Sequence, residues 1–309
     1  MGYRLVRRRR YDLVVSNSIG LLSWGLPARL RRAGIAQRSL FLLWDFFPIH
    51  HIEIGRIRAR LVAQPLRILE GLSMKSADVI AVMSPANEQF LRAYHPRINS
   101  PTVIVPPWAS TPPPSPNGAT VRPRFTALFG GQLTAGRGLD TLLRAARLVQ
   151  DRQIPMDLLI VGDGPAYGEL VSLSRKLGLS NTKFIKRLPR DAYRALIRSI
   201  DVGVAITVPG VSPPTFPSKI SEYCACGVPV VVCVEPSSDA GQMVVQAGAG
   251  LSTAAGDAAG LADALATLQR EHAGGILEAR AQNALVLFQN TLSAAKAAAT
   301  IRGAGPTSL

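Results

Sequence analysis

Nine short apolar runs separated by helical stretches constrain the fold of this chain more than any other feature. Runs such as DLLIV at 157–161 and PVVVC at 229–233 are apolar on both faces, which is typical of strands buried on both sides. Strands of this kind alternating with helices predict parallel α/β sheets. The predicted strands are 12–16, 39–44, 78–83, 102–105, 125–129, 157–161, 183–186, 202–206 and 229–233, and the predicted helices include 138–152, 166–178, 190–200 and 218–226.

A proline-rich stretch divides these strands into two sets. Residues 106–124 carry seven prolines and no hydrophobic periodicity, so we predict a linker there. The chain then consists of a first α/β domain at 1–105, this linker, a second α/β domain at 125–290, and a C-terminal helix and tail at 291–309. The first domain has about four predicted strands and the second a fuller set, so we expect the first domain to be shortened by its first strands.

The positive charge lies mostly at the front of the chain. Of the net +15, residues 1–100 contribute +10, from 16 Lys and Arg against 6 Asp and Glu. Such a balance favours a polyanionic partner, which is nucleic acid, an anionic membrane surface or a phosphorylated substrate. An arginine-rich solvated surface explains the same count. Nucleic acid is disfavoured because no helix-turn-helix or RNP-like pattern and no interleaved surface aromatics occur.

We do not expect the N-terminal stretch to act as a signal peptide, because polar residues interrupt its apolar run. The interrupting residues are Asp12, Ser16, Asn17 and Ser18. The run LFLLWDFFPI is broken by Asp45 and is too short to span a membrane. We therefore expect a cytoplasmic protein that rests on the inner face of a membrane. Arg7–Arg10 fit either lipid head groups or an ordinary solvated turn.

Three cysteines, Cys224, Cys226 and Cys233, lie in or beside a predicted buried strand. No histidine and no second cysteine pair accompany them, so we interpret them as small buried hydrophobic residues and predict no metal site. Free thiols of this kind suit a reducing compartment.

Two glycine-rich turns follow strands of the second domain. After the strand at 125–129, Gly130 and Gly131 expose backbone amides, and Arg137 precedes the next helix. Free amides, a helix start and a cation together favour binding of a diphosphate. A glycine-rich connection without a binding role would have the same sequence. After the strand at 157–161, Gly162 and Gly164 form only part of a dinucleotide fingerprint, so NAD is not predicted.

The stretch FPSKISEYCACGVPVVV places a cation and a carboxylate three residues apart on one helical face. Pro217 sets the helix start, and Lys219 and Glu222 follow. The pair is either a surface ion pair or a binding device in which Glu222 accepts ribose hydroxyls and Lys219 meets phosphate oxygens. The apolar neighbours favour binding. No Asp-x-Asp occurs in the chain, so cations rather than a metal would neutralise the phosphates.

The segments GGQLTAGRGLD, IVGDGPAYGEL, SIDVGVAI and PSKISEYCACGVPVVV, in this order, resemble the donor domain of the GT-B glycosyltransferases. The resemblance covers about residues 125–290 and is to the retaining family 4, on its bacterial cell-surface polysaccharide branch. It implies two Rossmann-like parallel-sheet domains, the first incomplete, and no cofactor besides the nucleotide diphosphate sugar as donor. The implied donor-binding residues are Gly130, Gly131, Gln132, Arg137, Gly162, Pro217, Ser218, Lys219 and Glu222, and Arg137 and Lys219 also have catalytic roles.

Two departures from the family pattern affect this interpretation. The first glutamate of the family's E-x7-E signature would fall at Pro214, whereas the second is Glu222. The strand and glycine-rich turn that open the family's first domain have no counterpart. In the first domain, Asp45 and His50, with His51, follow a predicted strand and are candidates to orient an acceptor hydroxyl, or are ordinary polar turn residues.

The sequence thus predicts a metal-independent, retaining glycosyltransferase that uses a nucleotide diphosphate sugar and a lipid-linked or saccharide acceptor in cell-surface polysaccharide synthesis. The alternative is a truncated, non-catalytic protein that binds nucleotide sugar or a protein partner.

Overall fold

Ten strands form two separate, wholly parallel sheets in the computed structural model, which describes residues 9–18, 25–57, 60–112 and 124–304. The chain divides into two compact units. The first contains residues 1–107, 211–216 and 295–309, and the second contains 108–210 and 217–294. The predicted class, α/β with two parallel-sheet domains, is confirmed.

The first unit has a four-stranded sheet in the order β1-β2-β3-β4. Its core includes Phe41, Leu43 and Phe46 from β2 and the following turn, packed against Met74 and Leu91 from two helices. The strands are β1 (Tyr11–Asn17), β2 (Ala36–Leu43), β3 (Val79–Val82) and β4 (Thr102–Ile104), and the helices are α1 (Leu26–Arg32), α2 (Ile49–Glu53), α3 (Ala63–Lys75) and α4 (Pro85–Tyr94), with a 3-10 turn at Arg60–Val62.

The second unit has a six-stranded sheet in the order β10-β9-β8-β5-β6-β7. Helices cover it, and its core joins β5, β6, β8 and β9 to two of them, at 139–151 and 258–273. The strands are β5 (Phe125–Gly130), β6 (Met156–Val161), β7 (Thr182–Ile185), β8 (Val202–Ile206), β9 (Val230–Val234) and β10 (Gly250–Ala254). The helices are α5 (Leu139–Asp151), α6 (Tyr167–Lys176), α7 (Arg190–Ile197), α8 (Lys219–Ala225), α9 (Ala240–Gln246), α10 (Ala258–Ala273) and α11 (Leu277–Leu287), followed by a π-helix at Phe288–Leu292.

Each of the nine predicted strands overlaps an observed one, but β10 was not predicted. Of its five residues, GLSTA, only Gly250 is buried, and the other four alternate between half-buried and exposed at the edge of the sheet. Such a short edge strand lacks the continuous apolar run that marked the other strands.

Two segments of the chain return to the first unit late in the sequence. One is 211–216, where the Asn87 side-chain amide donates a hydrogen bond of 2.7 Å to the Pro214 carbonyl and the Ser212 amide donates one of 2.7 Å to Glu53. The other begins at Ala295 within the last helix, α12 (Ala294–Gly303). Pro214 is therefore buried in the first unit, where the resemblance placed a sugar-contacting glutamate.

The start of the predicted linker is hydrogen-bonded to the second unit. The Ala109 amide donates to the Leu292 carbonyl at 3.0 Å, and the Ala294 amide donates to the Ala109 carbonyl at 2.9 Å, which ties this stretch to the second unit. The rest of the predicted linker, 113–123, lies outside the described residues, as do Arg7 and Arg8 of the basic N-terminal turn.

The order of the second sheet fixes where a ligand site is expected. Strand β5 is flanked by β6 on one side and by β8 on the other, so the chain leaves β5 in one direction and returns on the opposite side. In open parallel sheets, ligands bind outside the carboxyl ends of the strands at such a switch point.

Candidate functional site

A pocket of about 660 Å³ lies at the carboxyl ends of β5, β6 and β8 in the second unit. It occupies the switch point described above. All nine residues predicted to bind the donor line it, namely Gly130, Gly131, Gln132, Arg137, Gly162, Pro217, Ser218, Lys219 and Glu222. The structure thus brings together three turns that are far apart in sequence, because the turns after parallel strands all meet at one edge of the sheet.

Glycine is required where the β5 and β6 turns meet. The Gly131 amide donates to the Val161 carbonyl at 2.9 Å, and a Cβ at Gly162 would lie 1.8 Å from the Gly131 carbonyl oxygen. A Cβ at Gly130 would lie 1.9 Å from the Tyr193 hydroxyl. The absence of side chains therefore lets backbone and ring pack closely along the floor of the pocket.

Lys219 and Glu222 form an ion pair at the pocket wall. The Lys219 Nζ lies 2.7 Å from Glu222 Oε2 and 5.2 Å from the centroid of the Tyr193 ring, within the range of a cation–π contact. The Glu222 side chain remains 43% exposed and the Lys219 side chain 27%. The two side chains therefore pair with each other and also line the pocket, and their predicted contacts with ribose and phosphate stay a prediction.

Helix α8 carries this pair on a rigid base. Its Ile220, Tyr223 and Cys224 are buried, and Tyr223 is fully enclosed. The Tyr223 hydroxyl donates to the Leu128 carbonyl at 3.1 Å and accepts from the Gly130 amide at 3.1 Å, so it links α8 to the end of β5. Burial raises the pKa of Tyr223 well above its ordinary value, which keeps the hydroxyl protonated as the donor that Leu128 needs.

Sequence reasoning missed a fourth part of the pocket, which comes from the β7–α7 connection. Arg187 and Arg190 line the pocket, together with Tyr193 from α7. Burial raises the pKa of Tyr193, and the neighbouring Tyr223 hydroxyl opposes that shift. The run KRLPR, placed after a predicted strand of the same sheet, was the signal that would have found these arginines.

The pocket has a cationic lining suited to an anion. Four of its charged side chains are basic, and two, Asp163 and Glu222, are acidic. A concave site with an excess of one charge concentrates ligands of the opposite charge. The basic side chains are Arg137, Arg187, Arg190 and Lys219.

A smaller depression of about 210 Å³ adjoins the pocket in the same unit. The two share Arg190, Tyr193 and Glu222, and the smaller one is also lined by Trp108 and Arg194. Glu222 thus stands between two spaces, so a ligand held by its carboxylate can extend in either direction.

The predicted acceptor-side residues lie in the first unit, just beyond β2. Asp45 is exposed and its amide donates to Ser18 Oγ at 3.3 Å, while His50 is half-buried with its ring centroid 5.8 Å from that of His51. Burial, then the nearby His50, lowers the pKa of His51, and Asp45 opposes that shift. The three side chains form one polar cluster at the carboxyl end of β2.

A buried carboxylate holds this cluster's backbone. Glu70 is fully buried, and its Oε1 accepts the Phe47 amide at 2.7 Å while its Oε2 lies 2.8 Å from His95 Nε2. Burial raises the pKa of Glu70 from its ordinary 4.5, and the contacts with His95 and Phe47 oppose that rise. Glu70 therefore fixes the turn between Asp45 and His50.

No group of three or more metal-binding side chains occurs in the described part of the chain. No helix among those residues is long and apolar enough to cross a membrane. Cys224 and Cys233 are buried and Cys226 is half-buried, and all three are free thiols.

Comparison with solved structures defines the class of the fold. Sucrose-phosphate synthase from Thermosynechococcus elongatus superposes with a TM-score of 0.73 at 19% identity, covering 95% of this chain and 72% of that one. HepE from Anabaena, solved in complex with UDP and glucose, gives a TM-score of 0.67 at 17% identity, covering 94% and 77%. The two-sheet architecture is of the GT-B type.

Comparison of sequences finds one family model that matches part of the second unit. Residues 124–271 match the family model described as Glycosyl transferases group 1, so this unit carries a domain of that group. WcaI of Escherichia coli K12, whose assignment as a colanic acid biosynthesis glycosyl transferase is provisional, is 28% identical over 116 residues. That match covers 38% of this chain and 28% of WcaI, so the chain spans well under half of this relative.

Proposed function

We propose that this chain is a retaining glycosyltransferase that takes its sugar from a nucleotide diphosphate sugar. The observation that carries the proposal is the pocket at the switch point of the second sheet, where glycine turns, four basic side chains and Glu222 face one space. The match of 124–271 to the Glycosyl transferases group 1 model supports this assignment.

The diphosphate and the ribose of the donor have separate partners in the proposal. The diphosphate lies against the amides of Gly130 and Gly131 and is neutralised by Arg137 and Lys219. The ribose hydroxyls donate to Glu222, because a carboxylate accepts through two oxygens and only Oε2 is paired with Lys219 in this structure. The ion pair thus orients the carboxylate for the nucleoside while its cation remains beside the phosphates.

In the proposed reaction, the bond between the anomeric carbon and the phosphate oxygen breaks as the acceptor oxygen attacks from the same face. The acceptor's proton passes to the leaving phosphate. Positive groups at the diphosphate stabilise the charge that develops on it, and this chain supplies them from its own side chains rather than from a metal ion.

We propose that Asp45 and His50 of the first unit orient the acceptor hydroxyl, and that the acceptor is lipid-linked or a saccharide in cell-surface polysaccharide synthesis. The provisional name of WcaI supports the polysaccharide role. The +10 balance of residues 1–100 supports a cytoplasmic protein that rests on an anionic membrane face.

A turnover assay tests this function. Uridine, guanosine and adenosine diphosphate sugars are first screened by thermal shift, because a bound ligand raises the melting temperature by mass action. The stabilising donor is then incubated with a lipid extract or with oligosaccharides, and the product's anomeric configuration is determined by NMR. We expect release of nucleoside diphosphate that depends on the acceptor, and a retained configuration.

Arg137→Ala and Lys219→Ala should each slow that release by at least about tenfold, since each removes a charge-assisted contact to the leaving group. Lys296→Ala, which removes a cation of α12 that does not line the pocket, is the matched control. Donor binding without turnover on any acceptor would instead assign the chain a binding role, and inversion of configuration would exclude a retaining transfer.

A further inference from the structure

Helix α3 of the first unit buries polar side chains and exposes apolar ones. The residues it turns inward include Glu70, Ser73 and Met74, all buried. The residues it turns outward include Ile68, 59% exposed, and Leu72, 43% exposed. Helices on the surface of a protein in water normally present charged side chains at these positions.

The apolar surface continues through the turn before the helix. Leu61 is 93% exposed and Val62 is 42% exposed, in the 3-10 turn that leads into α3. Positions 61, 68 and 72 are separated by seven and four residues, which places them on one side of a helix. We call the surface formed by Leu61, Val62, Ile68 and Leu72 the α3 face.

The sequence that contains this face is rich in basic residues. Residues 54–76 contain five basic residues and one acidic residue, and that acid is Glu70, which points inward to His95 and Phe47. No acidic side chain of this segment is thus left to repel an anionic surface. The basic residues are Arg56, Arg58, Arg60, Arg67 and Lys75. The Arg67 guanidinium donates to the Tyr94 carbonyl and lies over the Tyr94 ring, so the cations that the sequence offers to head groups are the other four.

We propose that the α3 face rests on an anionic lipid bilayer. An apolar stripe bordered by cations is the pattern of helices that lie in the membrane interface, with the apolar side chains in the acyl boundary and the cations at the head groups. The buried Glu70 supports this geometry, because its bond to His95 helps fix α3 to the body of the first unit. The inference extends the proposed function by naming the surface that faces the membrane.

Vesicle binding tests the proposal directly. The full chain is sedimented with vesicles of phosphatidylcholine alone and with equimolar phosphatidylcholine and phosphatidylglycerol. We expect binding to the anionic vesicles only, weakening as salt is added because the electrostatic part is screened. The double variant Ile68→Ser/Leu72→Ser should lower the partition coefficient by at least about tenfold, since each side chain loses its transfer into the apolar boundary.

The matched control is Ile276→Ser/Val286→Ser in the second unit, where Ile276 is also 59% exposed and Val286 is 52% exposed. This control should bind as the wild type does. Nucleotide binding by the Ile68→Ser/Leu72→Ser variant is measured by calorimetry in parallel, so that a folded protein without lipid affinity is distinguished from a failure of the donor site.

Three results would overturn the proposal. One is no binding of the wild type to anionic vesicles. Another is equal loss in both double variants, or no loss in either. The third is a wild type that elutes as an oligomer without lipid and becomes a monomer in the Ile68→Ser/Leu72→Ser variant, which would assign the α3 face to a second copy of this chain.

Discussion

The carboxyl ends of the two sheets are built in different ways. In the second unit, Gly162 lets its turn pack against the Gly131 carbonyl, Gly130 leaves room for the Tyr193 ring, and the pocket beside them is lined mainly by cationic side chains. In the first unit, one buried carboxylate, Glu70, holds the turn after β2 through the Phe47 amide. The carboxyl edge of the second sheet is preorganised by glycine contacts, and that of the first sheet by a single buried carboxyl group.

The difference has a consequence for function. A nucleotide diphosphate has the same two phosphates and ribose whatever sugar it carries, so a rigid pocket with fixed amides and cations suits it. The side chains of Asp45, His50 and His51 are exposed or half-buried, which suits a more variable ligand. We therefore expect substitutions at the carboxyl edge of the second sheet to act on stability and nucleotide affinity together, and those at the carboxyl edge of the first sheet to depend on pH.

The largest expected effect is that of Gly162→Ala. Its Cβ would lie 1.8 Å from the Gly131 carbonyl oxygen, so the two turns must separate. We expect a loss of about 3 kcal/mol or more in the free energy of unfolding, as overpacking at a backbone contact costs. Urea unfolding measures it. Gly168→Ala, with nothing within 4 Å of its added Cβ, should change stability by less than about 1 kcal/mol.

Equal free energies of unfolding for Gly162→Ala and Gly168→Ala would mean that the backbone contact between the β5 and β6 turns does not organise the pocket.

Tyr223→Phe should have the next largest effect. It removes the hydroxyl between the Leu128 carbonyl and the Gly130 amide and leaves both without this buried partner. The expected loss is about 2 kcal/mol in the free energy of unfolding. Tyr167→Phe on α6 is the control, because Tyr167 packs against Phe184 through its ring, and it should stay within about 0.5 kcal/mol of the wild type. Equal stability of the two variants would contradict the role given to Tyr223.

Glu70→Gln tests the role of the buried carboxyl group at the carboxyl edge of the first sheet. Because burial raises the pKa of Glu70 above 4.5, the folded state binds its proton more tightly than the unfolded state does. Stability from this group is therefore present at low pH and is lost as pH rises from 4.5 through the raised pKa.

Glu70→Gln keeps an acceptor for the Phe47 amide but cannot ionise, so its stability should fall less than that of the wild type over this range. Thermal unfolding across pH, compared between the two proteins, measures the difference, with His95 and Arg67 present in both. Parallel pH curves would mean that Glu70 ionisation does not affect the first unit.

Much of the second unit could be predicted from the sequence because its signals are local. Apolar runs marked β5 to β9, and the rule that βα turns meet at one edge of a parallel sheet was enough to group Gly130, Arg137 and Glu222 in one site. The same rule applied to KRLPR would have included Arg187 and Arg190.

What the sequence did not predict depends on contacts between distant residues. The return of 211–216 to the first unit follows from the bonds of Asn87 to Pro214 and Glu53 to Ser212, which leave no local pattern. The link from Tyr223 to Gly130 joins positions 93 residues apart. The outward apolar stripe of α3 was hidden because a hydrophobic period shows that a helix is amphipathic but not which side is buried.

The most direct test of the account is calorimetric titration of the nucleoside diphosphate that best stabilises the protein, among UDP, GDP and ADP, into three proteins. Wild type and the exposed-surface control Glu169→Ala should bind with the same affinity. Glu222→Ala should bind at least about tenfold more weakly, because the ribose hydroxyls lose a charged acceptor. Unchanged affinity in Glu222→Ala, or no binding of any of the three nucleotides by the wild type, would contradict the assignment of this pocket.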